Sequence, residues 1–237
     1  MRRPASWRSR AAHGRGVISP LLSNLYLNEV DRMLERAKEV TRNGKYTYIE
    51  YARFADDVVI LIDAYRRHDW LMAAVEKRLR EELAALQVEI NEDKSRIVDL
   101  GRGESFGFLG FDFRRIRSQR GAWRANYTPK LKKRTALLRK LKNVFRRYRS
   151  QPVDRVIYLI NPLLRGWVNY FAVGNSGECF SFIQDWVEKK VRRHMLRARK
   201  RKGFGWTRWS RQWLYENLKL FNSYRVYRPQ PKVAPAG

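Results

Sequence analysis

The segment Tyr46–Ile62 is rich in β-branched and aromatic residues and is interrupted once, by the adjacent carboxylates Asp56 and Asp57. Residues of this kind favour a pleated, half-buried backbone, and the interruption marks a tight turn, so the segment predicts a β-hairpin with an acidic tip. An amphipathic helix is expected on either side. Leu22, Tyr26, Val30, Met33 and Ala37 recur at spacings of three and four before the hairpin, and Met72, Val75, Leu79, Leu83 and Leu86 give the apolar face of the second helix. The first helix is expected to start at Ser19-Pro20, where a serine caps and a proline has no N–H to orphan. Arg42-Asn43-Gly44-Lys45 is a turn signal. Val88–Leu100 and Ser105–Phe113 are expected to be further strands, separated by Gly101-Arg102-Gly103. Helix, hairpin, helix and short strands make the front of the chain an α+β fold.

Two neighbouring aspartates between apolar strands are costly unless they are solvated, paired or bound to metal. On these residues alone two readings stay open. One is an ordinary solvated turn, where Asp is common. The other is a divalent-metal site, because hard carboxylate oxygens on a rigid tip suit Mg²⁺, which keeps some waters and also binds phosphates.

The remainder of the chain differs in charge. Its 237 residues carry 51 Lys+Arg against 23 Asp+Glu, a net charge of +28. Residues 1–110 hold 19 basic and 17 acidic side chains, whereas residues 111–237 hold 32 and 6. An excess of this size repels itself unless a polyanion neutralises it; nucleic acid is the first candidate and an anionic membrane surface the second. A hydrophobic content of 44% with 13% aromatics excludes a merely disordered basic tail. The single cysteine, Cys179, excludes an internal disulfide framework, and three scattered histidines give no zinc-ligand spacing. No apolar run approaches the ~18 residues of a membrane-spanning helix, so no membrane partner and a cytoplasmic location are expected.

The basic part predicts helices. Thr128-Pro129 repeats the cap-and-proline start, followed by a stripe of Leu131, Leu138, Leu141, Phe145 and Tyr148. Pro152–Ile160, Pro162–Val173 and Glu178–Lys202 are expected as three more helices, divided at Asn161-Pro162 and Gly174 and ended at Gly203. Arg192, Arg193, Arg197, Arg199, Lys200, Arg201 and Lys202 crowd the end of the last, a run suited to phosphates. Trp206, Trp209 and Trp213 follow at helical spacing; such residues stack on unpaired bases or, as the spacing favours here, pack as core.

These segments resemble a known family. Phe54-Ala55-Asp56-Asp57 is similar to the active-site motif of reverse transcriptases. Upstream, the block from Gly16 to Leu27, with Ser19, Pro20 and Asn24, resembles one that lines nucleotide and template in group II intron reverse transcriptases. Downstream, Asn91-Glu92-Asp93-Lys94-Ser95 and Phe108-Leu109-Gly110-Phe111 resemble the blocks after the palm helix and at the primer grip. Asn161–Phe171, Phe180–Arg193 and Lys202–Trp206 resemble the maturase-specific domain of the same family.

The resemblance implies a partial polymerase palm over residues 15–113 and an all-α thumb and maturase domain over 125–228, between a disordered basic leader (1–14) and a flexible tail (229–237). Asp56 and Asp57 would be catalytic metal ligands for two Mg²⁺ ions roughly 3.5–4 Å apart, and Lys94 would meet the triphosphate or the leaving group. Ser19, Pro20, Asn24, Phe54 and Ala55 would bind substrate, and Phe108, Leu109 and Gly110 would grip the primer. Arg165, Lys189, Arg192, Arg193, Arg197, Arg199, Lys200 and Arg201 would bind group II intron RNA.

Residues 1–14 contain no Asp or Glu. The further carboxylate that the family supplies from an upstream palm strand is therefore expected to be missing, which leaves the two-metal site incomplete and a bare sheet edge beside the hairpin. The expectation is that the chain alone does not polymerise DNA, and that template–primer is engaged only with an N-terminal fragment in trans. The alternative is a non-enzymatic RNA-binding splicing factor that keeps only the maturase surface.

Overall fold

The computed structural model describes residues 24, 27–44, 46–203 and 205–227. The expected leader 1–14, the Ser19-Pro20 helix start and the tail 229–237 lie outside the described residues. The chain divides into two compact units, one ending at Ile97 and one beginning at Val98.

In the first unit, α1 (Asn28–Val40) buries Val30, Met33 and Leu34, the apolar face that the spacing predicts. Asn43 and Tyr46 exchange backbone hydrogen bonds of 2.9 and 3.0 Å, closing the expected turn. The hairpin is β1 (Ile49–Phe54) paired antiparallel with β2 (Asp57–Ile62), in a register from Ile49↔Ile62 to Phe54↔Asp57. Alternation puts Ile49, Tyr51, Val58, Ile60 and Ile62 toward the helices, while Glu50, Ala52, Phe54 and Asp57 take the other face. Among the described residues this sheet has two strands.

The second helix, α2 (Asp69–Ala85), buries Leu71 and Val75 and packs Leu79 and Leu83 on the same core. Met72, expected on that face, is exposed instead. The stripe runs in steps of four from Leu71, and Met72 falls about 100° away from it. The strand expected over 88–100 does not form. Asn91 turns the chain instead, accepting the Lys94 N–H on both its carbonyl (3.1 Å) and its side chain (3.2 Å).

The second unit opens with Asp99, whose side chain accepts the N–H groups of Gly101 and Arg102 and so caps a short 3₁₀ turn. Three antiparallel strands follow in sequence order, β3 (Ser105–Phe108), β4 (Phe111–Arg117) and β5 (Trp123–Pro129). The last was not expected. Thr128 and Pro129 pair with Asp112 and Phe111 at its end, so α3 starts later than predicted, at Leu131, and runs to Arg147. Its buried face is Leu137, Leu141 and Phe145; Leu131 is exposed.

The helix α4 (Val153–Tyr170) is continuous through Pro162, where two helices were expected. The reason lies in its apolar stripe: Ile157, Ile160, Leu164 and Val168 keep one buried face on both sides of the proline. A proline inside a helix costs about 3 kcal/mol, and fully burying each such side chain returns roughly 1.5–3 kcal/mol. Asn161 also holds the helix in place, donating to the Lys219 carbonyl (2.8 Å) and accepting the Phe221 N–H (2.9 Å).

Gly174 follows at φ +69°, where a Cβ would sit 2.3 Å from the Tyr127 ring, so only glycine fits. The next helix, α5 (Gly177–Ala198), and the short α6 (Arg211–Glu216) complete the unit. Its core joins Phe111 of the sheet to the inner faces of α3, α4 and α5, and Trp209 and Leu214 close over it. The strands are thus part of the helical unit, and the compact division falls ahead of them rather than after residue 113.

Candidate active site and nucleic-acid interface

In the first unit, the tip of the hairpin is the two-residue turn Ala55-Asp56. Ala55 takes φ +55°, a left-handed conformation that costs a non-glycine residue about 1 kcal/mol. Arg53 holds it there. Its guanidinium donates to the Ala55 carbonyl (3.0 Å), to the Asn24 side-chain oxygen (2.9 Å) and to both carboxylate oxygens of Asp31 on α1. Arg53 and Asp31 are both largely buried, so the acidic turn is fixed to the helix by a charge-assisted fork.

Sequence reasoning assigned neither residue a role. The signal was present: an arginine inside an apolar strand, three residues before the aspartates, requires a buried anion. The structure thus brings Asn24 and Ala55 together through one side chain. Phe54 is 63% exposed, and Asp56 and Asp57 are exposed. Lys94 is exposed on the loop after α2, and no hydrogen bond or ion pair among the described residues joins it to the turn.

Two exposed carboxylates on a fixed turn are hard donors that fit one Mg²⁺ completed by waters and phosphates. Among the described residues no group of three His, Cys, Asp or Glu side chains gathers there or elsewhere. The fit is to a partial ligand set.

In the second unit, Leu109 (φ +47°) and Gly110 (φ +83°) form the β3–β4 turn, with both central residues left-handed as a tight hairpin requires. The Tyr170 hydroxyl donates to the Leu109 carbonyl (2.9 Å) and the Lys130 N–H to the Gly110 carbonyl (2.9 Å). The turn is therefore clamped from α4 and from the start of α3. Phe111 is core and Phe108 is half-buried.

The expected arginine surface is sorted by burial. Arg192 is a correction: it is 1% exposed, so it is no phosphate contact. It donates to the Trp209 carbonyl (2.9 Å) and to Glu188 (3.3 Å), which is also 1% exposed. Glu188 in turn accepts from Arg211 (2.8 Å) and from the Tyr215 hydroxyl (2.6 Å). Burial and the Glu188 carboxylate hold the Tyr215 hydroxyl well above its ordinary pKa. Glu188 is the acid that the sequence reading overlooked; it lies four residues before Arg192, one helical turn away. Lys189 is half-buried and paired with Asp185 (2.6 Å). Arg165, Arg193, Arg197, Arg199, Lys200 and Arg201 are exposed. Of the tryptophans, Trp209 is core, Trp213 packs against it, and Trp206 is 46% exposed with the Arg192 guanidinium 4.1 Å from its ring centre.

A cleft of about 440 Å³ lies where the end of α3 meets the end of α5. Arg146, Arg147, Arg149, Ser150, Arg197 and Ala198 line it. Nearby on α5, the Lys190 amine is pushed below its ordinary pKa, first by burial and then by the like charges of Arg193, Lys142 and Arg197. Cations this close together raise the local positive potential, which favours an anionic partner. None of Arg146, Arg147 and Arg149 was in the predicted set. Their signal was available: residues 113–153 contain no acid at all.

A fixed acidic hairpin in one unit and an arginine cleft on a helical scaffold in the other define a nucleic-acid-handling protein. Residues 16–113 match the family model for reverse transcriptase (RNA-dependent DNA polymerase), and residues 134–213 match the group II intron, maturase-specific domain. Protein YkfC of Escherichia coli (strain K12) is 32% identical over an alignment that covers 46% of this chain and 34% of that protein. The chain thus spans about a third of the length of the relative it matches. It belongs to the group II intron reverse transcriptase/maturase family, carrying the palm motifs and the maturase-specific domain in the family's order. No helix among the described residues is long and apolar enough to cross a membrane.

Proposed function

We propose that this chain binds group II intron RNA through its maturase-specific domain and supplies the Asp56–Asp57 hairpin to an RNA-directed DNA polymerase. The arginine cleft at the ends of α3 and α5 carries the reading, because four arginines converge there with no acid lining the space. Intron RNA offers dense phosphate and matches that charge. Exposed Arg193, Arg199, Lys200 and Arg201 extend the surface along the end of α5 and the segment after it.

In the hairpin, Asp56 and Asp57 would hold Mg²⁺, which supplies charge stabilisation for phosphoryl transfer when bound. Arg53 keeps the turn in place, Asn24 and Phe54 flank it, and Lys94 contributes a cation toward the nucleotide. Phe108, Leu109 and Gly110 position the primer strand. A complete metal site then needs a further carboxylate beyond these two.

The test is binding of a folded intron RNA by the full chain across a salt series. The expected result is a steep loss of affinity with salt. Each phosphate contact contributes roughly −0.7 to −0.9 to the logarithmic slope. Replacing Arg146, Arg147, Arg149 and Arg197 by Ala, the four arginines lining the cleft, should flatten it by about 3. Salt-independent binding, or an unchanged slope in the variant, overturns the proposal.

One observation favours a second reading, an RNA-binding splicing factor without polymerase activity: no third ligating side chain joins the two aspartates among the described residues. Primer extension on oligo-rA/dT with Mg²⁺ separates the two. Synthesis by the chain alone that is lost in Asp56→Asn removes the second reading.

A further inference from the structure

Residues 114–133 fall between the two family matches, which end at 113 and begin at 134. They hold the outer half of the β4–β5 ribbon. Alternation places Phe111, Phe113, Arg115 and Arg117 of β4 on one face, opposite Pro129, Tyr127, Ala125 and Trp123 of β5. The inner part of this face is core: the Phe113 and Tyr127 rings stack at 5.2 Å beside Phe111. The outer part has a different chemistry. Trp123 is 54% exposed, and the Arg115 guanidinium lies 4.4 Å from its ring centre. Arg117 pairs across from Trp123 and reaches the Gly121 carbonyl at the tip (3.1 Å). Arg114 and Arg124 lie on the opposite face, and Arg120 is exposed in the turn.

Core packing does not account for this arrangement. A large aromatic ring left half in water contributes little to a core, and five arginines on one ribbon repel one another. An indole already bearing a guanidinium, with Arg117 on the same face and Arg120 in the adjoining turn, suits one ligand class: an unpaired base whose flanking phosphates are held by the arginines. Duplex nucleic acid would meet the cations but has no free base for the indole.

We propose that the β4–β5 ribbon is a second nucleic-acid contact, separate from the arginine cleft, in which Trp123 stacks on an unpaired base of a single strand while Arg115 and Arg117 on the same face, with Arg120 in the turn, hold its phosphates. This extends the RNA-binding reading above and rests on it for the kind of partner.

The test uses the full chain and fluorescent single strands of roughly a dozen nucleotides, with the matching duplex as control. RNA and DNA strands are run in parallel, to show which strand the contact serves. Trp123→Ala should weaken single-strand binding about tenfold and duplex binding less than about twofold, and Trp123→Phe should restore most of the loss. Arg117→Ala with Arg120→Ala should weaken both. Wild-type single-strand affinity in Trp123→Ala, or equal losses on single strand and duplex, overturns the stacking contact. Should the variants fail to fold, photocrosslinking of 4-thiouridine strands to the wild-type chain decides the matter: crosslinks within 114–124 support the ribbon, and crosslinks confined elsewhere refute it. Trp123-dependent binding to phosphatidylserine vesicles in place of strands also refutes it. A wild-type chain that binds no RNA at all defeats the functional reading itself, whereas RNA binding that ignores the ribbon defeats only this inference.

Discussion

Arg192 and Arg193 are neighbours in one run of arginines, yet they face opposite environments. Arg193 is exposed on α5, while Arg192 points inward to Glu188 and the Trp209 carbonyl. With Arg211 and Tyr215 as its other partners, Glu188 ties α5 to α6. Breaking a buried pair by removing one partner leaves the other charge uncompensated and costs about 3–5 kcal/mol. Arg192→Ala should therefore lower the free energy of unfolding strongly, and Arg193→Ala, at an exposed position, should lower it much less. Equal effects on stability would refute the assignment. A run of like charges states how much charge a surface can carry, and only the helical phase against an acid four residues away states which member is withdrawn. Arg53 teaches the same lesson: its place among the palm motifs was visible in the sequence, but its grip on Asp31 and the Ala55 carbonyl depends on how α1 packs against the hairpin.

The elements were most legible where one period dominated. The acidic hairpin and the apolar face of α1 follow from local pattern and turn chemistry, whereas Ser105–Phe113, expected as one strand, is broken by the left-handed turn at Leu109-Gly110. The errors arose where a local signal was outweighed by packing. Pro162 reads as a helix break, and the Ile157–Ile160–Leu164–Val168 stripe carries α4 through it. Thr128-Pro129 reads as a helix start, and pairing with β4 makes it a strand end. The proline remains a cost within α4, because it cannot donate to the Tyr158 carbonyl. Pro162→Ala should restore that bond and raise unfolding stability by about 1–3 kcal/mol. Guanidinium unfolding of the two proteins measures it; a loss of stability in Pro162→Ala would show that the proline shapes the helix rather than merely interrupting it.

At the scale of the molecule, the charge imbalance follows the compact units as closely as it follows the motifs. Residues 1–97 hold 18 basic and 15 acidic side chains, and residues 98–237 hold 33 and 8. The ion pairs of the second unit consume little of this excess: Glu188 serves Arg192 and Arg211, Asp185 serves Lys189, and Asp99 serves Arg102. The first turn of α3 even carries Lys132, Lys133 and Arg134 with no acid, against the sense of the helix dipole. Without its polyanion, such a unit is held together by its core against its own charge. Salt should relieve that strain. From about 50 to about 500 mM NaCl the screening length falls from roughly 14 to roughly 4 Å. Six of the eight tryptophans lie beyond residue 97, so intrinsic fluorescence reports mainly on the second unit. Its thermal midpoint should therefore climb by several degrees over this range, and a similar rise should appear at low salt when a short RNA strand is added. A midpoint indifferent to salt would mean that the arginines are compensated within the fold, and the cleft would lose its claim to a polyanion.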